Sequence, residues 1–114
     1  MYLYDGQKII YLFRGDTMNN KFKSSSKDTL FKCILELETV DECYAFFNDI
    51  CTMNELKSLS QRLEVTRMLK QGKTYTEIVE NTGASSATIS RVNRSLNYGT
   101  GGFSLVLNRI EREQ

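Results

Sequence analysis

The stretch of sequence that decides the fold spans residues 72–97 and reads GKTYTEIVENTGASSATISRVNRSLN. A first short helix is predicted from a cap at Thr74 to Thr82, because a glutamate follows Thr74 by three residues, as in a capping box. Gly83 supplies the left-handed conformation that a tight turn needs. Ser85 or Ser86 then caps a second helix that continues to residue 97. Two short helices joined by a tight glycine turn are the pattern of a helix-turn-helix.

The second helix of this motif has one apolar and one polar face. Ile89, Val92 and Leu96 share a side at about 100° per residue, which predicts that they pack on the rest of the domain. The opposite side carries Ala87, Ser90, Arg91 and Arg94. A small Ala permits close approach to a thymine methyl, and arginines bind guanine edges or phosphates. We therefore expect DNA contacts from Thr76, Ser85, Ser86, Ala87, Thr88, Ser90, Arg91 and Arg94.

Helical periodicity continues on both sides of the motif. A first helix is predicted from Asp28, and two more start at the caps Thr39 and Thr52, each with a glutamate three residues later. The third helix ends at about Gln71, before a glycine, and a last amphipathic helix follows the glycine-rich residues 99–102. The absence of proline agrees with a chain composed largely of helices. The predicted fold class is all-α.

Aromatic side chains are concentrated on the first two predicted helices, at Phe31, Tyr44, Phe46 and Phe47. They supply more aromatic surface than a chain of 114 residues easily buries. Two interpretations remain open: the aromatic faces form a dimer interface, or they fill the core of a single domain.

Residue types that support catalysis or metal binding are scarce. The chain has no His, and its cysteines form no C-x-x-C pair, so no metal site, disulfide framework or cofactor is predicted. Cys33, Cys43 and Cys51 are expected to fill the core as small apolar side chains. Without His or a plausible pair of catalytic carboxylates, the protein is not expected to be an enzyme. The lack of a signal peptide and of a membrane-length apolar run predicts a cytoplasmic location and no membrane partner.

The formal net charge is +1, but the charge is unevenly distributed. Between residues 28 and 55 seven acidic residues accompany one lysine, whereas between residues 57 and 94 seven basic residues accompany three glutamates. An anion-binding surface is therefore predicted in the second half of the chain, although two solvated faces of opposite charge give the same counts.

Residues 1–27 are predicted to be an extension of a domain at residues 28–114. Asp5 and Gly6 between apolar stretches are typical of a β-hairpin, which is marginally stable alone. Met18 is followed by a polar stretch. The codons of the residues just before it, Arg14, Gly15 and Asp16, can form a purine-rich sequence like a bacterial ribosome-binding site. Our hypothesis is that translation starts at Met18 and that residues 1–17 are upstream read-through. Residues 18–27 are predicted to be a flexible arm.

Residues 83–91 match the phrase G-x-S-x-x-T-I-S-R and resemble the recognition helix of the YerC/YecD family of Trp-repressor-like proteins. The resemblance extends from about Asp28 to the C-terminus and is strongest between Leu63 and Leu96. It implies a helical bundle and an intertwined homodimer in which the N-terminal helices of two chains interlock. It also implies transcriptional regulation through double-stranded DNA, at an operator with two-fold symmetry.

The resemblance further implies a site for a small ligand. In the Trp repressor two arginines sandwich the indole of tryptophan, and they correspond to Arg62 and Arg91; two further ligand contacts correspond to Thr52 and Ser95. Val92 stands where the Trp repressor has a glycine, and a branched side chain there would project into the space of the indole. We therefore expect a ligand smaller than tryptophan, or none.

The predicted function is that of a sequence-specific DNA-binding transcriptional regulator, a homodimer with residues 86–97 in the major groove. The alternative is a protein-interaction module that uses the same helical core without DNA, with Tyr44, Phe46 and Phe47 as its binding surface.

Overall fold

A computed structural model describes the backbone of residues 2–5 and 8–11 and the full residues 22–113. Its elements are β1 (Tyr2–Asp5), β2 (Lys8–Tyr11), α1 (Ser25–Leu35), α2 (Val40–Ile50), α3 (Met53–Lys70), α4 (Tyr75–Thr82), α5 (Ser86–Tyr98) and α6 (Gly102–Glu113). The elements from α1 to α6 are all helices, which confirms the predicted all-α fold class for this part of the chain.

The two strands form the hairpin that the first segment predicts. β1 and β2 are antiparallel, and their register pairs Tyr2 with Tyr11 and Asp5 with Lys8. The proposed translation start at Met18 lies outside the described residues and stays a prediction.

Helix α1 begins earlier than its apolar pattern indicates. Ser24 is the N-cap, and its hydroxyl oxygen accepts the backbone N–H of Lys27 at 3.2 Å. The serines predicted to belong to a flexible arm therefore cap and open this helix. A serine side chain satisfies an N–H group that the first helical turn otherwise leaves unbonded, which explains the earlier start.

The predicted caps of the next two helices are present. The Thr39 hydroxyl accepts the Glu42 N–H at 3.1 Å at the start of α2. At the start of α3 the pairing is reciprocal: the Thr52 hydroxyl accepts the Glu55 N–H at 3.1 Å, and the Glu55 carboxylate accepts the Thr52 N–H at 2.8 Å. Helix α3 ends at Lys70, and Gly72 follows with φ of +78°.

The chain divides into two compact units, one spanning Met18–Ser58 and the other including Leu59–Gln114. The second unit contains a core between the later part of α3 and helices α4 and α5. Its buried apolar members are Val65, Met68, Ile78, Ala84, Ile89 and Val92, with Leu69 and Phe103 packed against them. Gln61 adds a polar link, since its Nε2 donates to the Thr82 carbonyl oxygen at 3.0 Å. This packing fixes the position of α5 relative to α3 and α4.

Helices α1 and α2 contain no buried residue. Five of their large apolar side chains are exposed in the single chain, from Ile50 at 52% to Leu35 at 81%, whereas Leu30, Ile34, Phe46 and Phe47 are half-buried. The prediction that the cysteines fill the core is wrong, because Cys33 is exposed and Cys43 and Cys51 are only half-buried. Cys33 and Cys43 lie on helices that have no fully buried residue in the single chain, and Cys51 caps the C-terminal end of the second of these helices.

Within residues 22–113, no helix combines the length and the apolar character needed to cross a bilayer.

Candidate nucleic-acid interface

Helices α4 and α5 form the helix-turn-helix that the sequence predicts. The capping box at the start of α4 is complete: the Thr74 hydroxyl accepts the Glu77 N–H, and the Glu77 carboxylate accepts the Thr74 N–H at 2.7 Å. The latter bond lowers the pKa of Glu77 below its ordinary value of 4.5, and the charge of Lys73 acts in the same direction. After α4, Gly83 turns the chain with φ of +71°.

A single serine after the turn caps the N-terminus of α5. Ser85, rather than Ser86, is the N-cap, and its hydroxyl oxygen accepts the Thr88 N–H at 3.1 Å. The Ser85 and Thr88 hydroxyls also lie 3.1 Å apart. Both residues were predicted to contact DNA, and the structure gives their hydroxyls a defined role in starting the helix. Ala84, immediately before the cap, is buried in the core.

Helix α5 has the two faces that its sequence predicts. Ile89 and Val92 are buried and Leu96 is half-buried, which anchors one face on the core. The opposite face is exposed at Ser86, Ala87, Ser90, Arg91 and Arg94. Thr88 is half-buried at the edge, and Thr76 is exposed in the first turn of α4. All the predicted DNA contacts except Thr88 are therefore solvent-exposed, with Ser85 at the N-cap of α5 and the others on the two motif helices.

The exposed face of α5 carries uncompensated positive charge. The helix contains Arg91 and Arg94 and no acidic residue. Neither guanidinium takes part in an ion pair within residues 22–113, where the recorded pair joins Arg67 and Glu64 at 3.0 Å. A pair of arginines without acidic partners attracts an anion, and the free N–H groups at the helix N-terminus act in the same direction.

A second basic region contrasts with this face. A cavity of about 320 Å³ between α3 and α6 is lined by Arg67, Lys70, Gln71, Leu107, Ile110 and Glu111. Both of its cations have partners within the chain: Arg67 pairs with Glu64, and Lys70 Nζ donates to Asn108 Oδ1 at 3.0 Å. Sequence patterns do not indicate this cavity, because it joins residues far apart in the chain. The charge of Arg67 is therefore offset by Glu64, and Glu111 adds a carboxylate to the lining of the cavity.

The residues expected at a ligand site occupy different structural settings. Thr52 caps α3 and belongs to the unit Met18–Ser58, whereas Arg62, Arg91 and Ser95 are exposed residues of the unit that includes Leu59–Gln114. Val92 is 4% exposed and is part of the motif core. The side chain of Val92 therefore contributes to the packing of this core.

Comparisons with known proteins agree with this geometry. Residues 25–111 match the family model described as Trp repressor protein, a match that starts at the first residue of α1 and ends within α6. The uncharacterized protein YerC of Bacillus subtilis (strain 168) is 50% identical over 95 residues, which cover 83% of this chain and 91% of YerC.

Two solved structures are also similar. A crystal structure from Staphylococcus aureus, described as a candidate Trp repressor, has 50% identity and a TM-score of 0.79, and the match covers 83% of this chain and 96% of that chain. The crystal structure of a TrpR-like protein from Eubacterium eligens ATCC 27750 has 56% identity and a TM-score of 0.79, covering 82% of this chain and 96% of that chain.

Proposed function

Since the chain belongs to the Trp repressor family, we propose that it is a DNA-binding transcriptional regulator that recognises a specific operator as a homodimer. The observation that carries the proposal is the face of α5, where Arg91 and Arg94 are exposed and no acidic residue offsets them. In helix-turn-helix proteins the second helix lies in the major groove and its N-terminal residues contact base edges. The proposal makes the chain a regulator rather than an enzyme, and it places the protein in the cytoplasm with its target DNA.

The exposed side chains of α5 differ between the two halves of the helix: they are small in the first half and basic further along. Ser86, Ala87 and Ser90 lie in the first half of the helix, where small side chains allow the backbone to approach base edges closely. Arg91 and Arg94 lie further along and bind guanine edges or phosphates. The buried residues Ile89 and Val92 hold the helix in a fixed orientation, so that the exposed side chains keep the same positions when the helix binds DNA.

The homodimer part of the proposal is supported by helices α1 and α2. Phe31, Leu35 and Tyr44 are 55%, 81% and 68% exposed, and neither helix has a buried residue. Apolar side chains at this density are costly in water, and a second copy of the same surface removes them from it. An operator with two-fold symmetry would match such a dimer.

Regulation by a small ligand is a separate part of the proposal. Arg62, Arg91 and Ser95 are exposed and available for an effector, and the side chain of Val92 fills core space that a glycine at this position would leave open. We propose that DNA binding does not require tryptophan and that any effector is smaller. Measuring DNA affinity with and without tryptophan tests this, and a large gain in affinity with tryptophan would contradict it.

The experiment that tests the main proposal starts with fragmented DNA of the source genome. The purified protein is mixed with the fragments, and the retained DNA is sequenced. Enrichment of one symmetric motif supports a dimeric, sequence-specific regulator. Recovery without any preferred sequence, repeated in the presence of a metabolite extract, contradicts it.

A pair of double variants then assigns the interaction to α5. Arg91→Ala with Arg94→Ala removes both exposed arginines of the helix. The matched control, Arg109→Ala with Arg112→Ala, removes the same charge from the exposed face of α6. We expect the first pair to abolish specific binding with unchanged helical content, and the control to bind nearly as well as the unmodified protein. Equal loss in both would indicate general electrostatic attraction, and no loss in either would favour a protein-interaction module.

A further inference from the structure

Tyr98 is an aromatic side chain for which the fold gives no structural role. It is the last residue of α5, and it is 85% exposed. The other exposed tyrosines of the described chain, Tyr44 and Tyr75, are 68% and 39% exposed. A phenol combines a large apolar ring with a hydroxyl, and such side chains are enriched where one molecule binds another.

The helical phase places Tyr98 on the basic face of α5. At about 100° per residue, Arg91, Arg94 and Tyr98 fall within an arc of roughly 60°. The core residues Ile89 and Val92 lie on the other side and are buried. Tyr98 therefore extends the arginine face toward the C-terminal end of the helix.

The backbone holds Tyr98 at that end. The Gly99 N–H donates to the Ser95 carbonyl oxygen at 2.9 Å, which closes the last turn of the helix. Gly99 itself is extended, with φ of −83° and ψ of −159°, so the chain leaves the helix immediately after Tyr98. The ring remains uncovered by the chain that follows it, as its exposure records.

We propose that Tyr98 contacts the sugar-phosphate backbone of DNA at the edge of the major groove, with its hydroxyl donating to a phosphate oxygen and its ring packing over the adjacent sugar. The proposal rests on the proposed function. Ala87 and Tyr98 are separated by about 16 Å along the helix axis, at 1.5 Å per residue. The major groove is only about 12 Å wide, so a helix that inserts its N-terminal residues carries Tyr98 out to the phosphates.

A contact of this kind has a distinct signature. A neutral hydroxyl displaces no counterion, so its loss weakens binding to every sequence by the same factor and leaves the salt dependence unchanged. Loss of an arginine that contacts phosphate lowers the slope of log affinity against log salt by about one. The two kinds of contact are therefore separable by measurement.

The experiment uses the full chain and two duplexes of equal length, one carrying the motif recovered from genomic DNA and one with that motif scrambled. Binding is measured by fluorescence anisotropy over a series of salt concentrations. The variants are Tyr98→Phe, Tyr98→Ala and Arg94→Ala, and Arg109→Ala is the control, since it removes a side chain from the exposed face of α6, outside both the motif and helices α1 and α2. Circular dichroism checks the fold, and sedimentation checks self-association.

We expect Tyr98→Phe to weaken binding to both duplexes by about tenfold to a hundredfold, the range for one hydrogen bond to a charged group such as a phosphate. Tyr98→Ala should weaken binding further, with the salt slope and the ratio between duplexes unchanged, and Arg109→Ala should bind nearly as well as the unmodified protein. Unchanged affinity of the Tyr98 variants overturns this inference alone. A changed preference between duplexes, or loss of self-association, also overturns it, because the ring then contacts a base or a second copy. Failure of the unmodified protein to bind either duplex overturns the proposed function as well.

Discussion

Gly99 lies so close to Ser95 that a Cβ atom added to the glycine would be 2.3 Å from the Ser95 carbonyl oxygen. The same oxygen accepts the Gly99 N–H at 2.9 Å. The contact is with backbone, which has little freedom to move away. Helix α5 ends at Tyr98, and Gly99 continues the chain in an extended conformation at the point of this close approach.

Replacing this glycine is therefore expected to destabilise the protein. Gly99→Ala should lower the free energy of unfolding by about 1–3 kcal/mol, the range for forced steric overlap. The matched control is Gly102→Ala, since a Cβ there meets nothing within 4 Å and the residue begins α6. Urea unfolding followed by circular dichroism measures both. Equal stability of the two variants would contradict the steric argument.

The turn glycine of the motif should respond differently. Gly83 has φ of +71°, and a Cβ added to it meets nothing within 4 Å, so a substitution costs only the conformational penalty. Gly83→Ala should lower the free energy of unfolding by about 1–2 kcal/mol. Gly83→Asn should cost less, because asparagine tolerates the left-handed region better. Thermal unfolding of the two variants checks the order, and a larger loss for asparagine would be evidence against a purely conformational cost.

The capping carboxylates make stability depend on pH. The hydrogen bond from the Thr52 backbone N–H, and then that from its hydroxyl, lower the pKa of Glu55 below the ordinary value of 4.5, and the pKa of Glu77 is lowered by the Thr74 N–H in the same way. A lowered pKa in the folded state means that stabilisation is present above the unfolded value and is lost as the pH falls through the folded value. We expect stability to decline below about pH 5.

The Glu55→Gln, Glu77→Gln double variant tests this dependence. A glutamine keeps a side-chain acceptor for the capped N–H but does not titrate in this range. The decline in unfolding temperature with acid should be shallower in this variant than in the unmodified protein. Glu80→Gln, at an exposed position of α4 that caps no helix, serves as the control. Identical acid profiles for the double variant and the unmodified protein would show that these caps do not contribute.

Two valines of the motif allow a test of the core. Val92 is 4% exposed and packs in the core, whereas Val79 is 39% exposed on α4. Val92→Ala should lower the free energy of unfolding by about 1–3 kcal/mol, and Val79→Ala by less than about 0.5 kcal/mol. Chemical unfolding measures the difference. If the two variants lost the same stability, Val92 would not be the packing residue that its burial indicates.

The proposed dimer predicts a specific effect at Leu35, which is 81% exposed on α1. Leu35→Glu should raise the dimer dissociation constant by at least about tenfold, because burying one leucine contributes about 1.5–3 kcal/mol. Asn81→Glu adds the same charge at an exposed polar position of α4, outside helices α1 and α2, and should leave association nearly unchanged. Sedimentation equilibrium measures both. A monomeric unmodified protein at high concentration would contradict the dimer itself.

Local features of this fold follow from short stretches of sequence. The capping box at Thr74, the left-handed turn at Gly83 and the family resemblance of residues 83–91 were all predicted, and the structure and the relatives confirm them. Such features depend on hydrogen bonds between residues three or four positions apart. A capping hydrogen bond, such as that from the Glu77 N–H to the Thr74 hydroxyl, can therefore be predicted without knowledge of the rest of the chain.

Burial and side-chain partners were decided only by the tertiary structure. Lys70 donates to Asn108, 38 residues away, and Gln61 donates to the carbonyl of Thr82, 21 residues away; no local pattern indicates either bond. The cysteines were predicted to be buried, yet α1 and α2 have no fully buried residue in the single chain. Periodicity identifies which side of a helix is apolar, but the partner that covers it depends on non-local packing. For this protein the sequence by itself determined the helices, their caps and the basic face of α5, and the packing of distant segments decided which side chains remain free to bind.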